Sequence, residues 1–170
     1  RALAYQYHDY TPSVLNWRAL LVFRVGDMIE ETFFEFAKEI GITDQQKEVS
    51  VTIDGTEIKG HIDGIYKDAV VDIKSAADHS FKTAKRYGDI GSYREQLHFY
   101  MKALGLEKAV AVYINKNTCA MHCVNIEFDE AIWQQIEDRF RSVLDSTKEC
   151  LPDKEYSPLK SGNLPWQCSY

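Results

Sequence analysis

From residue 46 to residue 73 apolar and polar side chains alternate in short runs broken by turn-forming pairs. Residues 46–53 put Val49, Val51 and Ile53 on one face, and Asp54-Gly55 is a strong hairpin turn. Residues 57–66 read as the returning strand. A second turn at Lys67-Asp68 leads into residues 69–73, a short apolar strand. A period of two does not fit a helix, so this stretch commits the chain to at least three consecutive strands.

The flanking segments have the other period. In residues 25–40, Val25, Met28, Ile29, Phe33, Phe36 and Ile40 recur at three- and four-residue steps, and Gly41 follows as a stop. Residues 93–104 are helical and end at Gly105. Residues 109–114 and 120–128 are strands joined by a turn at 115–118. Asp129 caps a last helix that runs to about Thr147 through Ile132, Ile136, Phe140 and Val143. Residues 75–91 are polar, carry Gly88 and Gly91, and read as a loop with one helical turn at most. The order is αβββαββα, an α+β fold with a mixed central sheet flanked by helices. The 170 residues suit a single domain. Its core runs from about 22 to 147, with an irregular segment at 1–18 and a proline-containing tail at 151–170.

The net charge of −6 argues against a protein that coats nucleic acid by bulk charge. It leaves room for one that gathers carboxylates around a cation and holds its partner through a local basic patch. No apolar run is long enough for a membrane span, and no basic segment followed by an apolar stretch marks a secretory signal. A cytoplasmic location is therefore expected, with mitochondrion and nucleus as alternatives. The chain opens at Arg1 rather than Met, as a trimmed protein or fragment would. Cys119, Cys123, Cys150 and Cys168 form no CxxC pair. Without a secretory signal they are expected as reduced thiols.

Three short segments carry the chemistry: Gly60-His61-Ile62-Asp63-Gly64-Ile65, Val70-Val71-Asp72-Ile73-Lys74-Ser75 and Arg94-Glu95-Gln96-Leu97-His98-Phe99-Tyr100. In the second, alternation sends Val71 and Ile73 one way and Asp72 and Lys74 the other. An acid and an amine two apart on one strand face lie ~7 Å apart along it, so Asp72 can hold a cation while Lys74 reaches a substrate oxygen or water beside it. A hairpin at Lys67-Asp68 brings Asp63 alongside Asp72. Two converging carboxylates need a compensating cation, and hard oxygen ligands suit Mg²⁺ or Mn²⁺. Gln96 and Tyr100, four apart, share a helix face. Taken singly, each segment has an ordinary structural reading: a solvated ion pair, a turn, a core tyrosine.

Together and in this order they resemble the PD-(D/E)XK nuclease superfamily in its RecB-like branch, which includes phage and mitochondrial exonucleases. The matching elements are Gly26-Asp27-Met28-Ile29-Glu30 on the first helix, Gly60-His61-Ile62-Asp63, Asp72-Ile73-Lys74, and Gln96-Leu97-His98-Phe99-Tyr100. The resemblance implies a Mg²⁺- or Mn²⁺-dependent DNA exonuclease, with one or two ions, acting on DNA with a free end in recombination, repair or replication alongside partner proteins. A structure-specific endonuclease and an inactive DNA-binding subunit are the alternatives. It implies metal ligation by Glu30, Asp63, Asp72 and the Ile73 carbonyl, with Glu31 the alternative to Glu30. Lys74 acts as base or as phosphate contact. Ser75, Gln96, Tyr100 and Arg94 are implied at the substrate. Lys82, Lys85 and Arg86 either track a phosphate backbone or form a solvated turn. His61, His79 and His98 are not expected as ligands. Some relatives carry a four-cysteine iron–sulfur cluster. Residues 1–25 here contain no Cys, and only Trp166-Gln167-Cys168-Ser169-Tyr170 looks like the start of its C-terminal segment, so no cluster is expected in this chain.

Overall fold

The computed structural model describes residues 4, 7–9, 14–88 and 92–152. It divides into two compact units, residues 17–136 and residues 1–16 with 137–170. Gly91 and Cys168 lie outside the described residues.

The larger unit begins with α1 (Trp17–Ile40), then β1 (Ile42–Thr43), β2 (Lys47–Ile53), β3 (Thr56–Ile62), β4 (Gly64–Tyr66) and β5 (Ala69–Ala76). Helices α2 (Asp78–Tyr87) and α3 (Ser92–Leu104) precede β6 (Lys108–Asn115) and β7 (Met121–Glu127), and α4 (Glu130–Leu144) starts in this unit and ends in the other. Five strands form the central sheet in the order β1-β4-β5-β6-β7. Among the described residues only β5 and β6 pair in parallel, with Asp72 beside Ala111 and Lys74 beside Tyr113. The segment carrying α2 and α3 makes the crossover a parallel pair requires. Strands β2 and β3 form a separate two-stranded ribbon around the Asp54-Gly55 turn.

The α+β class and the mixed sheet are as the sequence predicts. The element list gains the short edge strand β1, which the sequence did not predict, and is corrected in three further places. First, the single strand expected at 57–66 is two strands in two sheets: β3 closes the ribbon with β2, and β4 joins β5 and β1. The break falls at Asp63. Second, residues 75–91 hold a ten-residue helix, α2, and not a loop. Only Phe81 and Ala84 are buried on it, too few apolar positions to show a period. Gly88 closes it with φ +80° and donates its N–H to the Ala84 carbonyl. Third, α1 starts eight residues before Val25, at Trp17. Leu20, Leu21, Val22 and Phe23 are all more than half exposed, so this first stretch shows no apolar stripe.

One core cluster lies between α1 and one face of the sheet. Phe34 and Ala37 of α1 pack with Ile42, Val71, Ile73, Val112 and Ile114. The alternation of β5 therefore sends Val71 and Ile73 to α1, and leaves Asp72 and Lys74 on the face covered by α3. Gly64 lets β1 approach: a Cβ there would lie 2.6 Å from Ile42 Cγ2 and 3.2 Å from the Thr43 carbonyl. Gly64→Ala is expected to destabilise the protein by ~2 kcal/mol or more, since neither a β-branched core residue nor a backbone oxygen gives way easily. Chemical denaturation measures this.

In the smaller unit His8 Nε2 and Ser146 Oγ are 2.9 Å apart, and Ser146 donates to the Val143 carbonyl. Thr147 and Cys150 close a turn by exchanging backbone hydrogen bonds.

Candidate active site

Asp63 is where the chain leaves one sheet for the other. The β4–β5 ladder starts at Gly64 opposite Val71, which sets Asp63 beside Asp72 and leaves the next backbone positions of β5 without a strand partner on that side. The Asp63 carboxylate fills the gap, accepting a 2.7 Å hydrogen bond from the Ile73 N–H. A residue's N–H and C=O leave a strand on the same side, so the Ile73 carbonyl emerges on the edge that Asp63 occupies.

Asp72 is 1 % exposed. Lys74 Nζ lies 2.8 Å from its Oδ2 and 3.0 Å from its Oδ1, and the aligned hydrogen bond goes to Oδ1. The same ammonium donates to Gln96 Oε1 at 3.1 Å, and Gln96 Nε2 donates to the Tyr100 hydroxyl at 2.8 Å. Asp72, Lys74, Gln96 and Tyr100 thus form one hydrogen-bonded chain from β5 to α3. The Tyr93 ring lies under the ammonium, 4.7 Å from Nζ to centroid, and is 37 % exposed. Sequence reasoning missed Tyr93. Its only trace is its position on the Gln96 face of α3, three residues before Gln96.

The carboxylates oppose one another. Burial pushes the Asp72 carboxyl up to about 6, the Asp63 and Glu30 charges push the same way, and Lys74 offsets part of the shift. Burial also raises Asp63, against the Ile73 N–H and Lys74. Glu30 is raised by burial and by Asp63, while Gln46 and Lys74 pull it down. For Lys74 burial works against the charge, but Asp72, Asp63 and Tyr93 outweigh it and the amine is held above the usual lysine range. Burial raises the Tyr100 phenol as well.

Glu30, and not Glu31, faces this cluster: Glu30 feels both Asp63 and Lys74, while Glu31 is exposed. Its carboxylate accepts a hydrogen bond from Gln46, at the turn before β2. Among the described residues no three His, Cys, Asp or Glu side chains are grouped closely enough to hold an ion as they stand. The donor set nevertheless suits a hard cation. Asp72 Oδ2 is buried without an aligned hydrogen bond, and three mutually repelling carboxylates, all with raised affinity for protons, favour added positive charge.

The remaining candidates divide. Ser75 is half-buried against α1, where a Cβ on Gly26 would lie 3.3 Å from its Oγ. Gly26 of the first-helix motif thus packs closely on Ser75. Arg94 is exposed on α3. Lys82, Lys85 and Arg86 are exposed on α2; Lys82 is paired with Asp78 at 2.6 Å and Arg86 lies over the Tyr87 ring. No hydrogen bond among the described residues ties these three to the Asp72 cluster. His61 and His79 are exposed. His98 is buried and structural: its Nε2 accepts the Asp129 N–H, so Nδ1 carries the proton and donates to the Arg94 carbonyl.

No family model and no curated protein sequence matches the chain. Solved structures do. The alkaline exonuclease LHK-Exo of Laribacter hongkongensis aligns at 20 % identity with a TM-score of 0.60, over 72 % of this chain and 66 % of its own. Its complex with dAMP aligns at 19 % identity and 0.62, over 79 % and 70 %. The chain has the fold of this exonuclease. A phage-related exonuclease of Haemophilus somnus 129PT aligns at 14 % identity and 0.56, over 83 % of this chain and 75 % of its own. The protein SSO0001 aligns at 20 % identity and 0.52, over 69 % and 57 %. The chain therefore spans less than two thirds of the length of the first of these relatives, SSO0001, and about two thirds of unliganded LHK-Exo. The exonuclease-like fold is the one that the four sequence motifs imply. No helix among the described residues is long and apolar enough to cross a membrane.

Proposed function

We propose that this protein, read as one nuclease domain over residues 1–170, is a metal-dependent DNA exonuclease of the RecB-like PD-(D/E)XK type. The observation that carries the reading is the convergence of Asp63, Asp72 and Lys74: a half-buried and a buried carboxylate side by side at a sheet junction, with an ammonium 2.8 Å from the buried one. A buried cluster of this kind is costly to stability and marks a site of chemistry. The fold it shares with LHK-Exo, and the dAMP bound to that exonuclease, support DNA as the substrate.

Asp63, Asp72 and the Ile73 carbonyl would hold Mg²⁺ or Mn²⁺, with Glu30 completing the set. Such an ion lowers the pKa of a bound water and stabilises charge building on the phosphate. Lys74 stands beside that position, where its ammonium donates to the scissile phosphate or its amine takes a proton from the attacking water. Asp72 fixes the Lys74 side chain from one side and Gln96 from the other. Arg94, exposed on α3, is the candidate for a contact to a flanking phosphate, whereas Ser75 faces α1 on the other side of β5. The acidic centre needs basic surface elsewhere to retain DNA, and the exposed Lys82, Lys85 and Arg86 of α2 supply it. Recombination, repair or replication in a bacterial or phage-infected cell is the setting this activity fits.

Incubation with linear and covalently closed circular DNA tests the reading. Loss of linear DNA alone in Mg²⁺, and of neither in EDTA, is the expected result. Cutting of circles would make it an endonuclease, and retardation without cutting a binding subunit. Ca²⁺ is expected to support binding without cleavage, because it tolerates looser geometry than the octahedral Mg²⁺ site. Lys82→Ala with Lys85→Ala is expected to weaken binding and flatten its salt dependence while leaving the rate at saturating DNA near normal. A fall in the saturated rate would place these lysines at the chemical step instead.

A further inference from the structure

We propose that Tyr100 and Gly60 are positioning residues for Lys74, acting through Gln96; this rests on the reading that Lys74 works at the reacting phosphate. A lysine ammonium has donors only, so the Gln96 amide must present Oε1 to it, as it does at 3.1 Å. That orientation turns Nε2 away, and the Tyr100 hydroxyl receives it at 2.8 Å. The lysine sets which end of the amide faces it, and the hydroxyl anchors the other end and so fixes where Oε1 lies. Without the hydroxyl the Nε2 end loses its anchor, and Gln96 holds Lys74 less firmly.

Tyr100 is 6 % exposed, so its ring offers no surface on which a base or sugar could stack. Its placement is fixed from behind by β3. A Cβ at Gly60 would lie 2.9 Å from Tyr100 Cε1 and 3.1 Å from Phe99 Cε1. Both are atoms of packed rings, which cannot swing aside as a flexible chain end would. Gly60 carries no positive φ among the described residues, so close approach and not backbone freedom requires the glycine here. The ribbon β2–β3 thus sets the ring, the ring sets the hydroxyl, the hydroxyl sets the amide, and the amide sets the lysine.

Four measurements on the whole chain test this. Tyr100→Phe keeps the ring and removes the hydroxyl. It is expected to lower the single-turnover cleavage rate in Mg²⁺ by about tenfold, the scale of one hydrogen bond to a charged partner's support. DNA affinity in Ca²⁺ should stay at the wild-type value. Gly60→Ala should do the same or more, and Tyr100→Phe keeps the proposal testable if that variant does not fold. In a Lys74→Ala background Tyr100→Phe should have no further effect. An equal loss there, or a loss of affinity with an unchanged rate, would overturn the proposal and make Tyr100 a substrate contact or a purely structural residue. The fourth measurement needs no activity: the side-chain NMR resonances of Lys74 should move in Tyr100→Phe. Unmoved resonances would overturn the proposal even if the enzyme is active. A wild-type protein that cleaves nothing, yet shows the resonance shift, would remove the nuclease reading and leave the coupling standing.

Discussion

Replacing Lys74 by alanine is expected to lower the single-turnover rate of DNA cleavage by ~10²-fold or more, the usual loss for a proton-transfer or charge-stabilising group at a reacting centre. Affinity for DNA measured in Ca²⁺ should change little. The structure gives the reason for the split. The ammonium is bonded to Asp72 and Gln96 and lies over Tyr93, with its side chain only 17 % exposed. On the proposed reading, a group so placed would touch the one phosphate that enters the cluster and none of the backbone beyond it. If the variant instead loses affinity and keeps its rate at saturation, Lys74 is a phosphate anchor and the reacting centre lies elsewhere.

Asp72→Asn is expected to abolish cleavage and to make the metal-free protein more stable at neutral pH. The two effects have one cause. Burial, reinforced by Asp63 and Glu30, holds the folded-state pKa near 6 against 3.8 in its absence. Below the lower value Asp72 is protonated in both states. Between the two, the folded protein keeps a proton that the unfolded chain releases, so stability falls as pH rises through that window. The loss from this group is on the order of 3 kcal/mol by about pH 7. Asparagine removes the titration. The metal-free wild type should therefore melt lower at about pH 7 than at pH ~4.5 by this contribution, whereas the variant lacks it. Asp63 and Glu30 shift in the same direction and deepen the wild-type slope. Added Mg²⁺ should raise the melting temperature of the wild type and not that of the variant. An Asn variant that melts below the wild type in EDTA at neutral pH would show the carboxylate to be a net stabilising partner of Lys74, with the ion pair outweighing the cost of burial.

The parts of this site legible in the sequence are those governed by a two-residue period. Alternation along β5 put Asp72 and Lys74 on one face, and the turn at Lys67-Asp68 put Asp63 beside them; both follow from backbone geometry alone. The i, i+4 spacing of Gln96 and Tyr100 likewise became a direct hydrogen bond. What escaped depends on tertiary contact. The split of one expected strand into β3 and β4 is made by Gly64 meeting Ile42 and Thr43, and nothing in the alternation marks it. Helix α2 has two buried anchors, Phe81 and Ala84, in an otherwise polar segment. Gln46 reaches Glu30 across sixteen residues, from a turn that the sequence shows only as the start of a strand. Gly60 stood in the sequence only as part of a motif within an expected strand, while its neighbours show that it makes room for two aromatic rings of α3.

Asp63, Asp72 and Lys74, on this account, form a cation-dependent centre that hydrolyses DNA. The most direct test is digestion of an end-labelled linear duplex by wild-type and Asp72→Asn proteins, prepared in parallel and shown to be folded, in Mg²⁺ and in EDTA. The expected result is progressive release of label by the wild type in Mg²⁺ alone, with no release by the variant in either condition. Equal release by both proteins, or release that persists in EDTA, would contradict it.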